Sequence, residues 1–467
     1  MTSRKLSLLL VFLLCTCLLF TGCGKSEKTT VEQPGVAASK AASKASPKAV
    51  SFSAGEIAAD STELSIILQP GETELLGYLP QLQRADFSGS ECVDEIYSWA
   101  KANPQVAVKY TVSLPDGSLL DNSTQSADLS AMSGEDIKLA LTGLACLPEL
   151  ESLELGTQRT GLDWEHIGLL QQTLPEVKLS YVFNIYGMDL SLDSTQINLS
   201  HIPVDDEGAA VKAAMAYMPN LVYLDMDSCG VSNGAMADIR DAYPNVKVVW
   251  RVWFGEWDVY SVRTDVERIL ASSPSVAGEI YPGNCESLQY CTEVRYMDLG
   301  HNTSMTDISF ISSMTKLEVA ILAMADWADA SPLANCTELE YLEIQTTKVS
   351  DLSPLAGLTK LKHLNIAYNP GVSDISPLYG LTQLERLWIG CINPVPAEQV
   401  AQMQAAAPNC EINVEVYEDP TGGRWRYVDY NELAYMFIYH DRYIQLRETF
   451  EDYASTAFSY SWNDPLY

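Results

Sequence analysis

Five histidines are spread over 467 residues, and no two stand at the spacing with which one helix or turn presents a metal-binding pair. Trp164-Glu165-His166 sets a carboxylate beside an imidazole but lacks the second histidine of a zinc-binding helix. Asp225-Met-Asp227-Ser-Cys229-Gly230 begins like a loop of alternating oxygen ligands for calcium. It then places Cys229 among them and Met236 where the closing Glu belongs. No Gly-rich phosphate loop and no nucleophile elbow follows a strand-like run. The raw material for catalysis is thin. The sequence points to a binding protein that is not an enzyme, with no cofactor and no metal.

Charge narrows the partner. Lys and Arg number 29 against 61 Asp and Glu, a net charge of -32, which opposes unaided binding to nucleic acid. The acidity is not evenly spread. Residues 1–50 hold seven basic and two acidic residues, so residues 51–467 carry 22 basic against 59 acidic, a net of -37. A hydrophobic fraction of 47% with 27 Gly and 22 Pro is the composition of a folded chain.

The basic end is organised for export. Arg4 and Lys5 precede an apolar run from Leu6 to Phe20, shorter than the ~20 residues that span a bilayer as a helix. The run ends in Phe20-Thr21-Gly22-Cys23, which resembles the lipobox of bacterial lipoproteins. That resemblance implies a signal peptide over 1–22, lipid on Cys23, and a chain held on the outer face of the cell membrane. Residues 23–55, with Lys25, Lys28, Lys40, Lys44 and Lys48 among Ala, Ser, Thr and Pro, read as a basic flexible tether. A solubilising linker without specific contacts has the same composition.

Beyond the tether the chain repeats itself. Val294, Leu317, Leu339, Leu361 and Leu384 restart one pattern after 23, 22, 22 and 23 residues. Leu339-Glu-Tyr-Leu-Glu-Ile344 is answered by Leu361-Lys-His-Leu-Asn-Ile366, and Val-Ser-Asp-Leu/Ile-Ser-Pro-Leu occurs at 349–355 and 372–378. A longer period links Leu82, Leu150, Leu221 and Val294, 68, 71 and 73 residues apart, with Pro-x-Val strands beginning at Pro104, Pro175 and Pro244. Pro115-Asp116-Gly117 reads as a turn into a returning strand. The pattern resembles the leucine-rich repeat family, and its Ser-Pro-Leu with Gly-Leu-Thr looks like the internalin-type subclass. That resemblance implies an α/β solenoid, a curved parallel sheet on the concave face and short helical turns on the convex one. It places Asn302 and Asn369 in an asparagine ladder, with Thr347 between them, and Pro332, Pro354 and Pro377 at the start of the convex turns. Long, hairpin-bearing repeats are expected over 56–293, regular ones over 294–423, and an aromatic cap over 424–467. Within that cap Tyr430 to Tyr453 reads as one amphipathic helix, and a second aromatic binding surface is the other reading of the segment.

The cysteines follow the repeats. Cys291, Cys336 and Cys410 fall in the register of apolar core positions and Cys229 in that of Asn302, so no disulfide is expected. Cys92, Cys146, Cys285 and Cys391 have no assignment.

Period-two alternation lists the side chains that share the outer strand face. One column runs Asp86, Glu154, Asp225, Asp298, Ile321, Glu343, Asn365 and Trp388; the other includes Arg84, Tyr223, Tyr296, Tyr341, His363 and Arg386. Tyr flanks an acid three times, as Tyr223 with Asp225, Tyr296 with Asp298 and Tyr341 with Glu343. The candidate ligand-binding residues are these three pairs with His363, Arg386 and Trp388, an outward Trp388 being the expected hot spot and His363 a surface residue. Aromatics beside carboxylates suit a basic or mixed-charge protein or peptide. A carbohydrate or cell-wall glycan stacking on Tyr and Trp is the alternative partner, and a structural surface spacer the alternative role. A solvated strand face in an acidic protein also carries acids and Tyr without use.

Overall fold

The computed structural model describes residues 48–272, 279–390, 395–414, 423–431 and 436–439. The expected signal peptide over 1–22, Cys23, the expected tether up to residue 47, Cys391 and the stretch from 440 lie outside the described residues. The tether expected to run to residue 55 ends earlier. Ala49–Phe52 and Gly55–Ala58 form an antiparallel hairpin, and alternation turns Val50 and Phe52 into the core.

The N-terminal half is built in cassettes of three parallel strands. Their inward residues are Leu64, Ala85 and Val108 in the first, Ala127, Leu153 and Leu179 in the second, and Ile197, Leu224 and Val248 in the third. Amphipathic helices cross between strands. Gly134–Leu144 buries Ile137, Ala140 and Leu144 behind a Ser133–Asp136 capping box, and Asn233–Ala242 buries Met236 and Ile239 behind a Ser232 cap. Met236, which stood in place of a calcium ligand, is thus a core residue. Each cassette ends as the third strand leads into an antiparallel hairpin: Thr111–Ser113 with Leu119–Asp121, Lys178–Ile185 with Met188–Ser191, and Arg251–Phe254 with Tyr260–Arg263. The Pro115-Asp116-Gly117 turn closes the first, with Gly117 in the left-handed region its conformation requires.

The C-terminal half drops the hairpins. Seven strands, from Arg268–Leu270 to Glu411–Asn413, pair in parallel without a register shift. On the far side lie 3-10 turns, and Pro332, Pro354 and Pro377 stand in the first turn of three of them. Before each of these three an Asp accepts the N–H of the residue two further on, as Asp329 does from Ser331 and Asp351 from Ser353, both at 2.8 Å. That contact explains the recurring Asp-x-Ser. The asparagine ladder is present. Asn302 Nδ2 donates to the carbonyls of Ala271 and Leu299 at 2.8 Å, and Asn369 Nδ2 donates to Ile344 while its Oδ1 accepts from Thr347 N. Four successive strands, from Tyr296–Asp298 to His363–Asn365, are left through a non-glycine residue with positive φ, at His301, Met324, Thr346 and Tyr368. The backbone strain of that conformation recurs because stacking dictates the turn.

One apolar core runs from Val50 to Cys410, and the molecule is a leucine-rich repeat solenoid. The seven described cysteines are free and buried. Cys229 Sγ donates to Leu199 O at 3.0 Å, as Asn302 does to its own preceding repeat. Burial pushes the Cys336 thiol up to about 12, so it behaves as a small hydrophobe.

Candidate functional site: the concave face and its plug

The strand register aligns the two columns as expected. Tyr296, Val319, Tyr341, His363 and Arg386 are direct neighbours across the sheet, and so are Asp298, Ile321, Glu343, Asn365 and Trp388. These side chains do not meet solvent. Trp388, expected to stand outward, is 6% exposed, and His363, expected on the surface, is 1% exposed. The cover is the chain itself.

After the last repeat a single helical turn, Gly423–Arg426, lies across strands Tyr341–Glu343, His363–Asn365 and Arg386–Trp388. Trp425 is wholly buried there, its ring 5.8 Å from Tyr341, 6.4 Å from His363 and 5.5 Å from Trp388 between centroids. The Arg386 guanidinium sits 4.2 Å over the Trp425 ring and donates to the Trp425 carbonyl at 2.9 Å.

Charge is matched in the same place. Glu343, 0% exposed, takes a forked contact from Arg426 and accepts the indole N–H of Trp425 at 3.1 Å and the hydroxyl of Tyr341. Burial pushes the Glu343 carboxyl up, but the Arg426 guanidinium and the hydrogen bonds of Arg426, Tyr341 and Gln345 outweigh it and hold it below the usual range. Asp298 has less help. Burial raises it to about 6 despite Arg426 and the Gly300 N–H.

The third acid pair has a different cover. Arg263 on the last hairpin reaches Asp225 at 2.9 Å and the Tyr223 hydroxyl at 2.9 Å, while Arg251 forks onto Asp227 at 2.8 Å through each nitrogen. Of the nine candidate residues, Tyr223 and Asp225 therefore belong to a hairpin ion network. The other seven are gathered under the C-terminal segment.

Further toward the N-terminus the strand face is open and polar. Ser126, Asp128, Ser152, Glu154, Lys178 and Ser180 line a shallow cavity of about 390 Å³. His166 pairs with the helix-capping Asp163 at 2.7 Å, and among the described residues no three His, Cys, Asp or Glu side chains are grouped to hold a metal.

Sequence reasoning missed Arg251, Arg263, Trp425 and Arg426. The signal for the last two was chemical, an aromatic next to a guanidinium in a chain whose strand face offers aromatics next to carboxylates. The amphipathic helix expected from Tyr430 is not formed where the chain is described. Tyr427–Asn431 and Met436–Tyr439 pair instead as an antiparallel hairpin.

Comparison with solved structures returns repeat proteins. An internalin (inlF) from Listeria monocytogenes is 19% identical, with 78% of this chain and 86% of that one covered and a TM-score of 0.29. A leucine-rich repeat protein of Leptospira interrogans is 15% identical, with 74% and 92% covered and a TM-score of 0.29. Both superpose loosely, and the fold assignment rests on the chain's own register and ladders. No protein-family model and no curated protein matches the sequence.

Proposed function

We propose that this is a non-catalytic recognition protein, lipid-anchored through Cys23 on the outer face of the cell membrane, that binds a protein or peptide segment along the concave face of its C-terminal repeats. One observation carries the binding part: this face already holds a stretch of polypeptide, Trp425-Arg426, by ring stacking, a cation over a ring and a buried ion pair. A surface complementary to one segment of chain is built to read segments of chain. The anchor is supported by Phe20-Thr21-Gly22-Cys23 and the apolar run before it.

Binding is tested by probing a random peptide array with the intact chain and with its Glu343→Gln/Trp388→Ala variant. Hits that survive the double substitution overturn the concave-face assignment. Anchoring is tested by metabolic labelling with a fatty-acid probe, which should vanish in Cys23→Ala.

Glycan recognition is a second reading, favoured by Trp253 and Trp257 on the last hairpin, the latter 78% exposed. A glycan array separates the two, since stacking on sugar should be nearly salt-insensitive and acidic steering of a basic peptide should weaken with salt.

A further inference from the structure

The concave face of the C-terminal repeats has an apolar core of its own, separate from the one inside the solenoid. It consists of Leu270, Tyr296, Val319, Ile321, Tyr341 and Trp388 from the strands and Trp425 from beyond them. Among the described residues, Trp425 is its one member from outside the repeats. Among the described residues, the inner core runs from Val50 to Cys410 and takes no member from Trp425-Arg426, so the described repeats stack on one another beneath it. Lifting the segment uncovers side chains but dismantles no repeat.

A segment held in this way is a ligand on a tether. Two adjacent residues of the segment supply the groove with an indole ring, an indole N–H, the carbonyl between the two residues, and the guanidinium that follows. We propose that the groove recognises partner polypeptides presenting an aromatic side chain followed directly by arginine, and that Trp425-Arg426 is a built-in competitor such a partner displaces. The inference rests on the peptide-binding reading of the groove given above and names the class of peptide.

Charge selects that class. Glu343 is fully buried, and a ligand that covers it without bringing a cation leaves an unpaired carboxylate in an apolar setting. Arginine restores the fork that Arg426 makes; lysine offers a point charge and loses one arm. Tryptophan adds the N–H that Glu343 accepts, which phenylalanine lacks. Arg386 then reads both the ring and the backbone carbonyl. The net -37 of residues 51–467 favours the approach of a basic segment. Because the competitor is tethered, its effective concentration is on the order of millimolar, and the intact chain should bind such a peptide weakly until Trp425-Arg426 is disarmed.

The test uses the intact chain and a fluorescent peptide of residues 421–429, Thr-Gly-Gly-Arg-Trp-Arg-Tyr-Val-Asp. The Trp425→Ala/Arg426→Ala chain should bind it at least 10-fold more tightly than the unaltered chain. Adding Glu343→Gln, or changing the peptide's Trp-Arg to Trp-Glu, should cost at least 10-fold. Failure of the folded double variant to bind, judged by unchanged circular dichroism, overturns the proposal, as does equal binding of the Trp-Arg and Trp-Glu peptides. Should the double variant not fold, the unaltered chain decides: millimolar peptide should speed hydrogen exchange over 423–426 and leave 341–365 protected, and unchanged exchange overturns the proposal. A concentration-dependent dimer that the peptide does not dissociate makes a second copy the occupant and also overturns it. Array hits that lack an aromatic-Arg preference sink the ligand class while the peptide-binding reading survives; an absence of hits sinks both.

Discussion

The two halves of this solenoid use one strand logic and treat the exposed face of their sheets in opposite ways. In the first two cassettes the outer columns, with Arg84, Asp128 and Glu154, stay open to water. From Tyr296 to Trp388 the same columns are buried. The difference is continuity. Hairpins interrupt the N-terminal sheet after every third strand, whereas seven uninterrupted strands in the C-terminal half make ladders long enough to form an apolar floor. Covering such a floor buries its acids, and a buried acid demands a guanidinium. The third cassette, at the junction, meets that demand from its own hairpin through Arg251 and Arg263, and the regular repeats meet it from beyond their end through Arg426.

This contrast can be attacked in order of expected effect. Asp227→Ala leaves the nearly buried Arg251 guanidinium without its carboxylate under the hairpin, and should lower unfolding free energy in urea by about 3–5 kcal/mol. A loss below about 1 kcal/mol would show that the hairpin network is ornamental. Asn369→Ala removes a ladder rung that satisfies the Ile344 carbonyl and the Thr347 N–H, costing about 2 kcal/mol by the same measurement. By contrast Asn198→Ala, at the end of a strand in the third cassette, removes an exposed side chain that accepts only from Ser200 and should cost about 0.5 kcal/mol.

Protonation sharpens the comparison further. Asp298 has its pKa raised by burial to about 6 from an ordinary 3.8, so its ionisation opposes the folded state above about pH 6 and that opposition fades as pH falls toward 4. Glu343 is lowered, so its contribution is complete above its ordinary 4.5 and is lost as pH falls through the lower folded value. Stability of the C-terminal half should therefore rise modestly from pH 7 to pH 5 and fall below about pH 4. Urea midpoints for Asp298→Asn should lose the rise and keep the fall. The smallest effect belongs to the exposed ion pairs that join successive repeats, such as Lys348 to Asp326 at 2.6 Å. Lys348→Ala should change stability by less than about 1 kcal/mol, and that change should vanish in high salt.

The repeat fold was readable because 22- and 23-residue returns of Leu leave few other ways to bury apolar residues, and the same spacing placed Tyr341 beside Glu343 and His363 correctly. What covers them was not readable. Trp425 lies 82 residues from its acceptor Glu343, outside every period, and one tryptophan makes no pattern. Arg251 and Arg263 sit in a hairpin whose return angle no periodicity encodes. Val50-Ser-Phe52 was too short a run to signal a strand at the tether's end, and an apolar stretch such as Met436–Tyr439 fits a helix or a strand equally well.

The cassette boundaries carry a last consequence, for distance. Each parallel strand adds about 4.8 Å of height, so the nine strands of the three N-terminal cassettes set the plugged groove on the order of 40 Å from the N-terminal hairpin. Cassettes that repeat at 68 to 73 residues form a pillar of unit length. Removing or duplicating one should lower or raise the groove by about 14 Å and leave its chemistry untouched, making reach a property that can vary separately from recognition.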